Sequence, residues 1–537
     1  MGKSERAKED VGSHKVVANT GPAKLSKQQK RDLKKAQKSQ APSSSFQLSS
    51  SSSSSAKSVY KRVPCYPAVP SSLAEHELLK LNRLGRLMHS RDAYFEEVMA
   101  ASYSQFKVDE PVQFSPSFHE RFQRSLKGLE GLGYYQYDFT QPAGLGTKVA
   151  QTMVTRCLVG EPGITYKYLG LRMFGFSWRS GDVGAVKELV AIGHCNSELQ
   201  KRTAELLTPE SGSCRYNLTL INSCAPLGSG KVKFKEEPFF GGESITVAWH
   251  ADSSLQHYSS IGVYHYCDTA EKIDDVSWRI ALRVAPNAEG PAAGKKTPEV
   301  TVPAIAVPLR SGSVYYLLDE FNHHHQHSVL AGTCQRYSST HRCSREEGHC
   351  FGWLKARCEK AISEGATASS SVIRTQQLAA AELEFEWLRQ FYIQGKRHYD
   401  QHLWWHEPIA SSLSWWRVLE INCYKQIKTL LDYSVINSLD FDTVDRKLLK
   451  SFKKRKHRAA SVTVESFITM IEFLEEKQSK RDGWTAREND SIFATASSEC
   501  RPLAVPFPPV DHELSAQSLT NLIEILKAER GKSFNSY

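Results

Sequence analysis

A chain of 537 residues exceeds what one hydrophobic core fills, so two folded domains are expected. Its hydrophobic content of 40% fits a globular protein, and no run of roughly 18 apolar residues occurs to span a membrane. The net charge of +11 is mostly a property of the start: residues 1–60 hold 12 Lys and Arg against 4 Asp and Glu, a net +8, which leaves only +3 for the rest.

The opening "MGKSERAKEDVGSHK" has no apolar core and does not read as a secretory signal, so the nucleus or the cytoplasm is the expected location. The twelve cysteines include no C-x-x-C pair and are expected to be reduced, small, buried side chains. Residues 1–60, basic and then serine-rich, are expected to be a disordered tail, serving as a nuclear address, a loose nucleic-acid arm or simply solvated chain. Residues 61–355 open with a helical pattern in "SSLAEHELLKLNRLGRLMHS". Short β-type runs follow, among them "YNLTLIN", "SITVAWHAD", "IGVYHYC", "SWRIALRV", "SVYYLLD" and "RYSSTHR". Their close spacing predicts an antiparallel jelly roll with helices packed outside, an α+β domain. Residues 356–537 change to a period of 3.6, with Leu383, Trp387, Leu388 and Phe391 on one face, which predicts a helical domain. Its Trp404, Trp405, Trp415 and Trp416 read as helix-packing residues, and "KKRKHR" at 453–458 as a second nuclear address or a solvated helix face.

In "SITVAWHAD", strand alternation turns His250 and Asp252 to one side, about 7 Å apart along the chain and free to converge on one metal. A distant histidine completes a two-histidine, one-carboxylate face, the set that holds iron(II) with open positions for a 2-oxo acid and dioxygen. "EFNHHHQH" offers His323, His324, His325 and His327, and spacing leaves the choice among them open. In "RYSSTHR" the same alternation turns Arg336, Ser338, Thr340 and Arg342 into one cavity. Two guanidiniums facing one interior call for an anion, and the distal carboxylate of 2-oxoglutarate fits.

The segments "KEEPFFGGESITVAWHADSSLQHYSSIGVYHY" and "LLDEFNHHHQHSVLAGTCQRYSSTHR" resemble the FTO family of AlkB-like iron(II)/2-oxoglutarate dioxygenases. The likeness continues through "GEPGITYKYLGLRMFGFSW" and "EFEWLRQFYIQGKRHYDQHLWW". The resemblance implies a double-stranded β-helix followed by a helical domain, with Fe(II) as metal and 2-oxoglutarate and O2 as co-substrates. It makes His250, Asp252 and His327 the iron ligands, Arg336 the partner of the distal carboxylate, and Ser338, Tyr315, Asn217 and Arg342 the rest of that pocket. For a methylated base it implies Arg156 as a hydrogen-bonding contact, and Tyr166, Tyr168, Leu169 and Val247 as walls. Val247 reaches the same face as His250 only if the strand carries a bulge. Ser253 stands where the family has a glutamate that reads the base edge, and Ala251 where a second histidine is usual.

The activity implied is oxidative demethylation of N6-methyladenine, and also of N3-methyl pyrimidines, in single-stranded RNA or DNA, with succinate, CO2 and formaldehyde released. Lys231, Lys233 and Lys235 alternate along one edge, as phosphate contacts or as protection of an edge strand. Two other readings of the chain are a hydroxylase or demethylase of protein or small molecules, and a non-catalytic scaffold. In the scaffold reading the helical domain binds a protein partner or a second copy.

Overall fold

A computed structural model describes residues 67–82, 85–136, 154–168, 170–209, 211–230, 234–268, 277–285, 302–437, 461–507 and 516–534. The tail of residues 1–60 and the basic run 453–458 lie outside the described residues. Helices α1 (Glu75–Asn82), α2 (Phe95–Ser102), α3 (Pro116–Gly131) and α4 (Lys187–Leu206) accompany two β-sheets. The first sheet runs β1 (Met88–His89), β12 (Ile305–Pro308), β11 (Arg279–Val284), β14 (His325–Leu330), β9 (Ser244–His250), β8 (Lys235–Glu236). The second runs β2 (Phe106–Asp109), β13 (Val314–Leu317), β10 (Ile261–Cys267), β15 (Arg336–Arg342), β7 (Leu218–Cys224), β3 (Val154–Gly160), β6 (Phe176–Ser177). Pairing is antiparallel apart from β1 with β12 and β3 with β6, the arrangement expected of a jelly roll.

The second sheet is covered on its outer face because α3 and α4 bring apolar residues at helical spacing onto it. Phe118, Phe122, Leu126 and Leu129 of α3 and Leu189, Ile192, Cys195 and Leu199 of α4 form one core with Tyr264, Tyr316 and Tyr337. Ser115 starts α3 by accepting a hydrogen bond from the Phe118 amide, with Pro116 in the first turn. Strand β15 is thus buried along its whole length although its sequence is polar. Its outward residues are satisfied in a chain from Thr219 to Ser339 (2.8 Å), Ser339 to His341 (3.0 Å) and His341 to Asn196 of α4 (2.7 Å). Its inward residues line the cavity described below.

Beyond Cys350 the described residues are mainly helical, in Phe351–Ser363, Ser370–Ala381, His406–Asn437, Val464–Glu488 and Ala516–Phe534. Leu383, Trp387, Leu388 and Phe391 are buried together as predicted, with Trp405 and Trp416 among them and Trp404 and Trp415 packed at the edge of the same cluster. The predicted α-helix is interrupted, however, by a π-helical stretch at Glu382–Leu388. Glu384 lies within it, fully buried, and is held by Arg481 at 2.7 and 2.8 Å and by Arg389 at 3.1 Å. These helices brace a hairpin of the β-rich half, β4 (Thr165–Tyr168) with β5 (Leu171–Phe174). Buried Arg172 donates to the Glu386 carbonyl (2.6 Å), Thr165 Oγ1 (2.7 Å) and the Gly348 carbonyl (2.8 Å), and lies 4.3 Å from the Trp387 ring. Among the described residues no helix is long and apolar enough to cross a membrane.

Candidate metal centre

His250 ends β9 and pairs in register with His327 of β14, and Asp252 follows two residues on. The ligand atoms of these three residues lie within 4.8 Å of one another, and no other such cluster of three occurs among the described residues. Of the four histidines offered by the sequence, His323 is exposed and His324 is buried 3.9 Å from Glu320. His325 points away, stacked on Phe321 at 4.1 Å with its nitrogens toward the carbonyls of Phe321 and Ser102. The pairing of β9 with β14 shifts register between His327 and Val329, so three residues of β9 oppose two of β14. This bulge brings Val247 and His250 to the lining of one cavity, as the expectation for Val247 required.

The His250 Nδ1–H donates to the Ala248 carbonyl (2.8 Å), which leaves Nε2 bare and 3.5 Å from Asp252 Oδ1. Two lone pairs facing one another at that distance are the donor set a cation satisfies. Burial pushes His327 down to about 3, with the neighbouring His250 and Arg342 adding to the effect, so its ring is neutral and free to ligate. Burial alone would raise Asp252, but the Arg342 guanidinium holds its carboxyl well below the usual range. Arg342 grips both Asp252 oxygens at 2.9 Å, while its Nη1 is buried with no hydrogen-bond partner among the described residues. Asn322 clamps the Asp252 backbone from the other side, accepting from its N–H (2.8 Å) and donating to its carbonyl (2.9 Å).

The cavity behind the triad is lined by Arg336, Ser338, Thr340 and Arg342 of β15, as strand alternation predicted, and by Tyr315 and Asn222. Arg336 is 2% exposed and has no carboxylate within 4 Å among the described residues. Its Nη1 donates to Ser338 Oγ (3.1 Å), and its guanidinium lies 5.5 Å from the Trp278 ring. A buried cation without a counter-ion, next to a second with an orphaned nitrogen, fits an anionic co-substrate.

The expectation for Asn217 is corrected. Its side chain bridges the Ser344 backbone, donating at 3.0 Å and accepting at 2.8 Å, and it does not line the cavity. Asn222, five residues later on β7, pairs with Ser338 and faces inward. Both asparagines stand in "YNLTLIN", and only the register of β7 distinguishes them. Arg156 pairs with Asn222 across β3 and β7 but lines a second cavity, against Tyr134, His398 and His402. Tyr166 is buried with its ring 5.1 Å from the Arg342 guanidinium, so the β4–β5 hairpin packs against the arginine that grips Asp252, although Tyr166 is outside the cavity lining. Ser253 is exposed and outside the cavity lining. Leu169, the Tyr168 side chain, Lys231 and Lys233 lie outside the described residues; Lys235 is exposed on β8.

Two family models match the chain, one described as the FTO catalytic domain over residues 93–345 and one as the FTO C-terminal domain over residues 349–528. A curated relative from Xenopus laevis, named "Alpha-ketoglutarate-dependent dioxygenase FTO", is 27% identical over 421 residues, 67% of this chain and 79% of the relative. A solved structure titled "The structure of OsALKBH1" is 13% identical with a TM-score of 0.25, covering 44% of this chain and 97% of that one.

Proposed function

This chain belongs to the FTO family of alpha-ketoglutarate-dependent dioxygenases, and from that premise we propose that it oxidatively demethylates N-methylated bases, N6-methyladenine foremost, in single-stranded RNA or DNA. The observation that carries this reading is the joint lining of one cavity by the triad, two arginines and Val247, with Tyr166 packed against Arg342. When bound, iron(II) with 2-oxoglutarate and dioxygen supplies the oxidising power that hydroxylates an N-methyl carbon, which then leaves as formaldehyde.

The residues act by holding. His250 Nε2, His327 and one oxygen of Asp252 would bind the metal, and the second oxygen of Asp252 keeps its contact with Arg342 Nε. Arg336, Ser338 and Tyr315 would take the distal carboxylate, and Asn222 adds an amide on the same wall. Val247 and Tyr166 would flank the base and shed water around the methyl group. A base stacked in a duplex cannot enter so enclosed a site, which favours single strands or a flipped nucleotide.

The test is release of formaldehyde and succinate from a short single-stranded RNA bearing one N6-methyladenine, beside Asp252→Ala. Both products are expected from the wild type and neither from the variant. Succinate without a changed base would move the substrate to another methylated base or to protein, and no succinate would sink the catalytic reading.

A further inference from the structure

Behind Arg336, outside the cavity lining, stands a histidine to which the sequence assigns no role. His265 of β10 is fully buried and in register with Ser338. Its Nδ1 lies 3.0 Å from Arg336 Nε and its Nε2 lies 3.4 Å from Cys267 Sγ. A guanidinium does not give up its proton in a protein, so Arg336 Nε donates and Nδ1 is the bare, accepting nitrogen. The ring proton is then on Nε2 and points at the Cys267 sulfur. Burial and the adjacent guanidinium keep the ring neutral. The His265 backbone is pinned as well, its N–H donating to the Ser313 carbonyl (2.9 Å) and its carbonyl accepting from the Gly312 N–H (2.8 Å).

We propose that His265 is a positioning residue for 2-oxoglutarate: by occupying Arg336 Nε, it turns the guanidinium so that the two terminal nitrogens form the fork that takes the distal carboxylate. This rests on the reading of Arg336 as the partner of that carboxylate. A guanidinium has two edges for a bidentate pair, one including Nε and one not, and the His265 bond removes the first. Ser338 steadies the terminal side through Nη1, and the Trp278 ring lies alongside. Gly332 makes room for that ring, since a Cβ there would stand 2.6 Å from Trp278 Cδ1.

The test is calorimetric titration of the manganese(II)-loaded protein with 2-oxoglutarate and with 2-oxopentanoate, which lacks the distal carboxylate. His265→Leu is expected to weaken 2-oxoglutarate about tenfold, the scale of a lost hydrogen bond to a charged group, and to leave 2-oxopentanoate within about twofold. His265→Asn returns an acceptor near the position of Nδ1 and is expected to recover most of the affinity. In turnover, the KM for 2-oxoglutarate rises in His265→Leu while kcat at saturation holds. Thermal unfolding checks each variant, and His265→Phe, closer in shape, serves if leucine does not fold. Equal weakening of both keto acids, or no recovery with asparagine, overturns the proposal by marking a purely structural role. Arg336→Leu separates it from the reading beneath: if that variant keeps the preference for 2-oxoglutarate, the assignment of Arg336 falls and this proposal with it. If Arg336→Leu loses the preference and His265→Leu keeps it, only the role of His265 fails.

Discussion

Asn322 shows how much of a metal site is carried by residues that never touch the metal. Its amide matches both polar groups of the Asp252 backbone, so the carboxylate leaves β9 at a set angle although it stands in a loop. Asn322→Ala is therefore expected to weaken manganese(II) binding about tenfold while the protein stays folded. Metal titration followed by calorimetry, with circular dichroism as the fold control, measures this, and an unchanged affinity would remove Asn322 from the site. The sequence displays Asn322 inside "EFNHHHQH", but nothing in spacing says that its partner is a backbone seventy residues away.

At the scale of elements, the β4–β5 hairpin links the helical half to the chemistry. Arg172 is buried between them and joins the hairpin to Glu386, Gly348 and the Trp387 ring, while Tyr166 on the same hairpin packs on Arg342. Arg172→Leu leaves three acceptors unpaired and is expected to cost about 2 kcal/mol, below the roughly 3–5 kcal/mol of a broken fully buried pair because Glu382 and Glu386 are partly exposed. It should also raise the KM for the oligonucleotide several-fold while 2-oxoglutarate binding stays as it was. Urea unfolding and steady-state kinetics check the two effects, and a normal oligonucleotide KM would show that the brace serves stability alone. The bulge in β9 acts at this scale too: it sets Val247 beside His250 where a regular strand would turn them apart.

Across the whole molecule, several histidines are folded in as neutral rings. Burial pushes His341 and His398 down to about 3 from an ordinary 6.5, and His265 and His402 well below it. A depressed histidine means that the unfolded chain takes up the proton first. The stability of these sites is thus complete above about pH 6.5 and is lost as the pH falls toward 3, each ring adding a slope of up to about 1.4 kcal/mol per pH unit. The urea midpoint is expected to hold between about pH 7 and 8 and to fall steadily below about pH 6. A midpoint at pH 5 equal to that at pH 7 would contradict the neutral, buried assignment.

The sequence by itself determined the fold class, the change from strand to helix periodicity, the pairing of His250 with Asp252 and the inward face of β15. Each follows from local alternation, which the backbone geometry imposes within a few residues. Spacing left four histidines open until the family resemblance pointed to His327, which the tertiary structure sets beside His250; tertiary structure alone put Asn222 rather than Asn217 on the cavity wall and set His265 behind Arg336. These choices depend on which strands become neighbours and in what register, and a shift of one residue sends every side chain to the opposite face.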